Sequence, residues 1–186
     1  MDKSELRNSL KVAKRALTEE QKRAMSSTIE HRVLALEYIQ NARRILLYYP
    51  LSDEVDTRHL ILTLASEGKE IYLPRVNGEE LDVCRVTFSH DITDSLHEGA
   101  YSIMEPTTKD CVPLSHIDVA VIPAVGLSRT GKRVGRGKGY YDRLLSTSPS
   151  VIKVGIAFSV QLLDDFPCEP HDIKMDHVIT DDWVSE

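Results

Sequence analysis

The chain has 186 residues, 23 basic and 29 acidic, giving a net charge of −6, with 41% hydrophobic and 28% charged residues. That length suits one domain with its own core, that balance is typical of a soluble globular protein, and no apolar run approaches the roughly 20 residues a membrane span needs. The overall acidity argues against a general nucleic-acid binder.

The first fifteen residues, MDKSELRNSLKVAKR, contain no apolar stretch of the secretory kind, so a cytoplasmic protein is expected. Cys84, Cys111 and Cys168 lie far apart in no metal-ligand spacing and are expected as reduced thiols. Leu6, Leu10, Ala13 and Leu17 form one apolar stripe, predicting an amphipathic helix over 4–17. Thr18 with Gln21 reads as a capping box opening a second helix that buries Met25, Ile29, Val33 and Leu36. Ile45–Tyr49, closed by Pro50, reads as a buried strand. Asp56 or Thr57 caps a helix carrying Leu60, Ile61 and Leu64, which Gly68 ends. Ile71–Leu73 is a second strand, expected to stop at Pro74, and Leu81–Phe88 a third. Residues 89–116 read as irregular. Val119–Ile122 is the most apolar strand. A glycine-rich basic loop and a short helix from about Tyr140 to Leu145 follow it. A strand at Val154–Phe158, a helical stretch at 159–165 and a last strand near 177–180 complete the chain. Short apolar strands alternating with helices predict an α/β fold: a single domain over 1–186, Rossmann-like, with a mostly parallel central sheet and helices on both faces.

Charge is concentrated in one place. Residues 129–143 hold Arg129, Lys132, Arg133, Arg136, Lys138 and Arg143 against Asp142 alone, a local charge of +5 that leaves −11 on the remainder. The segment follows the most apolar strand and precedes a helix, where open α/β sheets bind ligands. Glycines let backbone amides approach an anion, and several cations can hold several phosphates. Two common fingerprints fail. Gly126–Lys132 fits GxxxxGK, but Arg133 stands where a Walker A loop needs Ser or Thr. Gly135, Gly137 and Gly139 approach GxGxxG, but the third glycine comes one position early.

The run Gly131–Arg143, GKRVGRGKGYYDR, resembles the signature G-x-R-L-G-x-G-x-G-Y-Y-D of the 5-formyltetrahydrofolate cyclo-ligase (methenyltetrahydrofolate synthetase) family. Weaker pieces follow in the family's order: Lys3-x-x-x-Arg7, Glu54-Val55-Asp56-Thr57, Glu105-Pro106, Ala157-Phe158 with Gln161, and His171-Asp172. Val134 replaces the usual Leu, and Leu127-Ser128 stand where many members have Phe-Asp. The resemblance implies conversion of 5-formyltetrahydrofolate to 5,10-methenyltetrahydrofolate with ATP and magnesium, releasing ADP and phosphate. The formyl oxygen takes the γ-phosphoryl group to give a phosphorylated iminium, nitrogen 10 attacks that carbon, and phosphate leaves. Such chemistry asks for positioning and charge neutralisation rather than a protein nucleophile.

The resemblance also implies a site. ATP would be met by Lys3, Ser4, Glu5, Leu6 and Arg7 on the first helix and by Arg133, Val134, Gly135, Arg136, Gly137, Lys138, Gly139, Tyr140 and Tyr141 in the loop. Lys138, a compact point charge between glycines, and Arg136 would act on the transferring phosphoryl group. Tyr49, Glu54 and Tyr140 would contact the folate, and Asp142 and Asp172 would ligate Mg2+. Small-molecule partners, no nucleic acid, no membrane and a monomer are expected. Two other readings are open to the same residues. One is an RNA-binding module using the Arg/Lys/Tyr loop, which the −11 elsewhere opposes. The other is a zinc site at His171-Asp172 and Asp176-His177, which lacks a further nitrogen or sulfur donor nearby.

Overall fold

The computed structural model describes residues 2–88 and 91–185, so positions 89 and 90 of the segment expected to be irregular, and both chain ends, lie outside it. Helices α1 (Lys3–Arg15), α2 (Glu19–Leu34) and α3 (Glu37–Asn41) lead into strand β1 (Arg44–Leu46), helix α4 (Arg58–Ser66) and the antiparallel pair β2 (Glu70–Asn77) and β3 (Glu80–Val86). Strands β4 (Leu96–Glu98), β5 (Met104–Pro106) and β6 (Cys111–Val112) break up the segment read as irregular. Then come β7 (Val119–Pro123), β8 (Gly126–Ser128), β9 (Arg133–Val134), α5 (Tyr140–Ser146), β10 (Ile152–Ile156), β11 (Leu162–Leu163) and β12 (His177–Ile179). The stretch expected to be helical at 159–165 is a single 3-10 turn, Ser159–Gln161, followed by β11.

The helix starts are chemical. Asp2 accepts from the amides of Ser4 and Glu5, and the Glu5 carboxylate returns to the Asp2 amide, so α1 opens on a capping box. Thr18 and Gln21 make the box predicted for α2. Thr57 caps α4 in position only. Its hydroxyl donates to the Tyr48 carbonyl at 2.5 Å, and Asp56 takes the Arg58 amide instead.

Seven strands form the central sheet in the order β12-β10-β7-β1-β2-β3-β6. The first five are mutually parallel, and β3 and β6 add antiparallel strands at one edge. Numbered along the chain, the parallel strands stand in the order 2-1-3-4-5, which is the flavodoxin-type doubly wound order rather than that of the dinucleotide-binding fold. The order reverses between β1 and β7. Alternation along the strands then makes two cores. Ile45, Ile71, Val119, Val121 and Val154 face α2, α3 and α4 through Ile29, Val33, Ile39, Leu60, Ile61 and Leu64. Leu46, Tyr72, Ala120 and Ile122 face Leu144 and Leu145 of α5 and Leu127 of the small sheet β11-β8-β9. Helix α1 sits outside both layers, packing Leu6 and Leu10 on Val134 and Phe166.

Two expectations are corrected. Pro74 does not end β2, because from Leu73 onward the strand continues as an arm of the β2–β3 hairpin, paired through to Asn77 with Glu80. Cys84 and Cys111, expected as free thiols, are joined in a disulfide. They are 27 residues apart, but β3–β6 pairing sets them opposite each other with Cα atoms 3.9 Å apart. Cys168 is free and exposed. Among the described residues no helix is long and apolar enough to cross a membrane.

Candidate functional site

A cleft of about 430 Å3 opens where β1 and β7 end, at the reversal of strand order. The β1 end supplies Tyr49, Leu51 and Glu54, and the β7 end Pro123, Ala124 and Val125. Lys3 and Arg7, one helical turn apart on α1, reach in from one side. Arg133 through Asp142 line the floor, Val76, Ile103, Met104 and Glu105 one wall, and Glu169, His171 and Asp172 another.

The glycine loop is shaped by its neighbours. Gly137 and Gly139 have φ of 96° and 70°, which side chains resist, and Gly139 is the residue before α5. Arg7 Nε donates to the Gly135 carbonyl at 2.8 Å, tying α1 to the loop. Tyr140 and Arg143 grip the β2–β3 hairpin tip, the Tyr140 hydroxyl donating to the Gly78 carbonyl at 3.1 Å and Arg143 Nε to the Glu79 carbonyl at 2.8 Å. Gln161 holds the β7 exit, its amide donating to the Ala124 and Val125 carbonyls at 3.0 and 2.8 Å.

The six cations of the basic segment divide into two sets. Arg129 pairs with Asp164 at 3.3 Å, Lys132 pairs with Asp165 at 2.8 Å, and Arg143 is spent on the hairpin, so these three are absent from the cleft lining. Arg133, Arg136 and Lys138 line it. Arg133 is 6% exposed. Its Nε donates to the Pro123 carbonyl at 2.9 Å, and its guanidinium lies 5.1 Å from the Tyr141 ring centre. Burial pulls its pKa down, against the opposing pull of Asp142 and Tyr141. Arg136 meets Asp53 at 2.5 Å and Glu54 at 3.0 Å. Asp53 also pairs with the buried Lys14 at 2.7 Å. Burial opposes ionisation of Asp53, but Lys14 and Arg136 outweigh it and hold the carboxyl below its usual range. Lys138 makes no ion pair among the described residues. Its ammonium lies 5.6 Å from the ring centre of Tyr101.

Two expected metal ligands face the cleft. Asp142 Oδ1 accepts from the Ile173 amide at 3.3 Å, and its Oδ2 lies 3.8 Å from Arg133. Asp172 Oδ2 accepts from Lys3 at 2.5 Å and from the Glu169 amide at 2.6 Å, while Oδ1 has His171 at 3.9 Å. Both carboxylates keep lone pairs for a hard cation, and oxygen ligation fits magnesium. The zinc reading does not assemble. Glu169, His171 and Asp172 come within ligating reach of one another, but His177 stacks on Tyr38 at 4.5 Å and Asp176 binds Lys153 at 2.9 Å.

Lys3, Arg7, Tyr49, Glu54 and every expected residue from Arg133 to Asp142, with Asp172, thus come together in the cleft. Ser4, Glu5 and Leu6 do not line it. Glu5 completes the helix cap, Leu6 is buried against Val134 and Phe166, and Ser4 is exposed. Sequence reasoning missed Tyr101, Ile103, Met104, Glu105, Asp53, Lys14 and Glu169. The Glu105-Pro106 pair was the one available signal among them.

Residues 1–181 match the model of the 5-formyltetrahydrofolate cyclo-ligase family. The chain belongs to that family. The cyclo-ligase of Mus musculus is 30% identical, with 95% of this chain and 92% of the mouse protein covered. That of Escherichia coli K12 is 32% identical, with 93% and 97% covered. The 5,10-methenyltetrahydrofolate synthetase of Aquifex aeolicus superposes with a TM-score of 0.88 at 34% identity, covering 100% of this chain and 92% of that one. The synthetase of Mycoplasma pneumoniae gives 0.78 at 27%, covering 97% and 99%. The cyclo-ligase family is one of ligases, so the chain is an enzyme.

Proposed function

We propose that this enzyme converts 5-formyltetrahydrofolate to 5,10-methenyltetrahydrofolate, consuming ATP with magnesium and releasing ADP and phosphate. The carrying observation is that a family member over residues 1–181 brings the Gly135–Gly139 loop, Glu54, Asp142 and Asp172 to one cleft at the strand-order reversal.

The loop amides, Arg133, Lys3 and Arg7 receive the nucleotide phosphates, while Val134 and Tyr141 back the loop from beneath. Lys138 meets the γ-phosphoryl group as it moves to the formyl oxygen, giving the phosphorylated iminium. Among the described residues its ammonium is not committed to a carboxylate, so it is available to developing charge. Arg136, fixed by Asp53 and Glu54, orients the formyl end and then holds the departing phosphate as nitrogen 10 closes the ring. Tyr49, Tyr140 and Glu54 flank the folate. Val76, Ile103 and Met104 make that wall apolar and exclude water from the reactive iminium. Asp142 and Asp172 hold magnesium, which when bound neutralises phosphate charge.

The test is the growth of methenyltetrahydrofolate absorbance from 5-formyltetrahydrofolate in the presence of ATP and Mg2+. No product with all three present would sink the reading.

A further inference from the structure

Glu105 is 4% exposed, on β5, in the apolar wall of the cleft beside Val76, Ile103 and Met104. Its Oε1 accepts from the Val76 amide at 3.0 Å. Among the described residues Oε2 has no hydrogen-bond partner and the carboxylate no ion pair. A carboxylate that deep in an apolar wall is unfavourable unless donors reach it. The slot around it is built for it. A Cβ on Gly99 would overlap Oε2, so only glycine leaves room for the carboxylate where it stands. The loop joining β4 to β5 is held in an unusual shape, with Tyr101 and Ser102 at φ of 59° and 56°. Left-handed non-glycine residues collect at ligand clamps.

Glu54, the other acid facing the folate side, is already engaged. Its Oε2 takes the Leu51 amide at 3.0 Å and its Oε1 takes Arg136 at 3.0 Å. Glu105 therefore has the freer carboxylate oxygen. We propose that Glu105 is the acceptor for the N–H-bearing edge of the bound pterin, its 2-amino group and adjacent ring N–H, and so determines recognition of the heterocycle. This rests on the reading of the cleft as a folate site. A carboxylate can accept both N–H groups of that edge, one on each oxygen or both on Oε2, and charge-assisted bonds of this kind are the strong ones.

The experiment compares wild type, Glu105→Gln and Gly99→Ala. It measures KM for 5-formyltetrahydrofolate, for its 2-deamino-2-methyl analogue and for ATP, beside thermal melts. Glu105→Gln keeps an acceptor for the Val76 amide but turns an N–H2 toward the pterin. Its KM for 5-formyltetrahydrofolate should rise roughly tenfold or more. Its KM for ATP should stay within about twofold of wild type. With the analogue, which lacks the amino donor, wild type and variant should differ far less. Gly99→Ala displaces Oε2 without removing the charge and should reproduce the folate KM rise. It also serves if Glu105→Gln fails to fold. An unchanged folate KM in a folded variant, or an equal penalty with the analogue, would overturn the proposal, since the acid would then act only by holding β5 to Val76. A wild-type enzyme that makes no methenyl product would instead overturn the functional reading beneath it.

Discussion

Lys3 Nζ lies 2.5 Å from Asp172 Oδ2, joining the first residue of α1 to a segment 169 residues away. The pair closes one side of the cleft and ties an expected ATP contact to an expected metal ligand. Burial alone would raise the Asp172 pKa, but the Lys3 hydrogen bond and the Glu169 amide hold it below its ordinary value of 3.8. Lys3 is likewise raised above 10.5 by Asp172 and Glu169, against burial that would lower it.

The sign of the pH dependence follows. A depressed carboxylate adds stability above its unfolded pKa and loses it as pH falls through the lower folded value. A raised lysine adds stability below its unfolded pKa and loses it as pH rises through the higher folded value. The bridge should therefore operate from about pH 4 to about pH 10. The urea midpoint of Lys3→Ala should fall below wild type at pH 7, and the difference should shrink as pH drops below 3.8, through the lower pKa of Asp172. A gap that persists undiminished at pH 2 would mean that Lys3 stabilises α1 by packing and not through Asp172.

The Cys84–Cys111 bridge closes a loop over a sequence separation of 27 and pins the two-residue strand β6 to the sheet edge. Loops of that order are worth roughly 3–4 kcal/mol through restriction of the unfolded chain. Without reductant, denatured protein should titrate one thiol, Cys168. After reduction it should titrate three and melt at a clearly lower temperature. Three thiols in unreduced protein would dispose of the bridge.

Much of the frame was legible because it is local. Periodicity gave α1, α2 and α4, apolar runs gave β1, β7 and β10, and Thr18 with Gln21 gave a cap. Pro74 misled because it ends only the pairing with β1, where Leu47 donates to the Tyr72 carbonyl and residue 74 has no N–H to continue the ladder, while the pairing with β3 runs on to Asn77. The wall made by Tyr101 to Met104 was invisible because a short hairpin with two left-handed residues has no period to read. Composition could not separate Arg129, Lys132 and Arg143 from Arg136 and Lys138. The groups that engage Arg129, Lys132, Arg136 and Arg143, namely Asp164, Asp165, Asp53 with Glu54, and the Glu79 carbonyl, lie 33–83 residues away in sequence.

Arg133 lines the cleft and also supports the loop structurally. It is buried, donates to Pro123 and stacks near Tyr141, and its guanidinium is 3.8 Å from Asp142. Arg133→Ala would leave the Pro123 carbonyl without its donor and a void beneath the loop. Unfolding free energy should fall by about 2–4 kcal/mol, read from denaturant midpoints at constant m. A variant as stable as wild type would show that the loop needs no such support.

Lys138 is the converse case, five residues further on. It is exposed, lies between Gly137 and Gly139, and its ammonium lies over the face of Tyr101, itself 59% exposed. Truncation removes little packing and no ion pair, so apo stability should stay within roughly 0.5 kcal/mol of wild type. It could rise a little, because Arg136 and Lys138 stand close in the chain and carry like charge. The transition state should suffer instead. An electrostatic contact made as the phosphoryl group transfers is typically worth about 2.7–4 kcal/mol, or roughly 100- to 1000-fold in kcat. Lys138→Ala should thus be folded, retain folate binding, and turn over slowly with both substrates saturating. Paired measurements of kcat and apo melting temperature decide it. Wild-type kcat would remove Lys138 from the chemistry. A melting temperature lowered by many degrees would show instead that the loop depends on its contact with Tyr101.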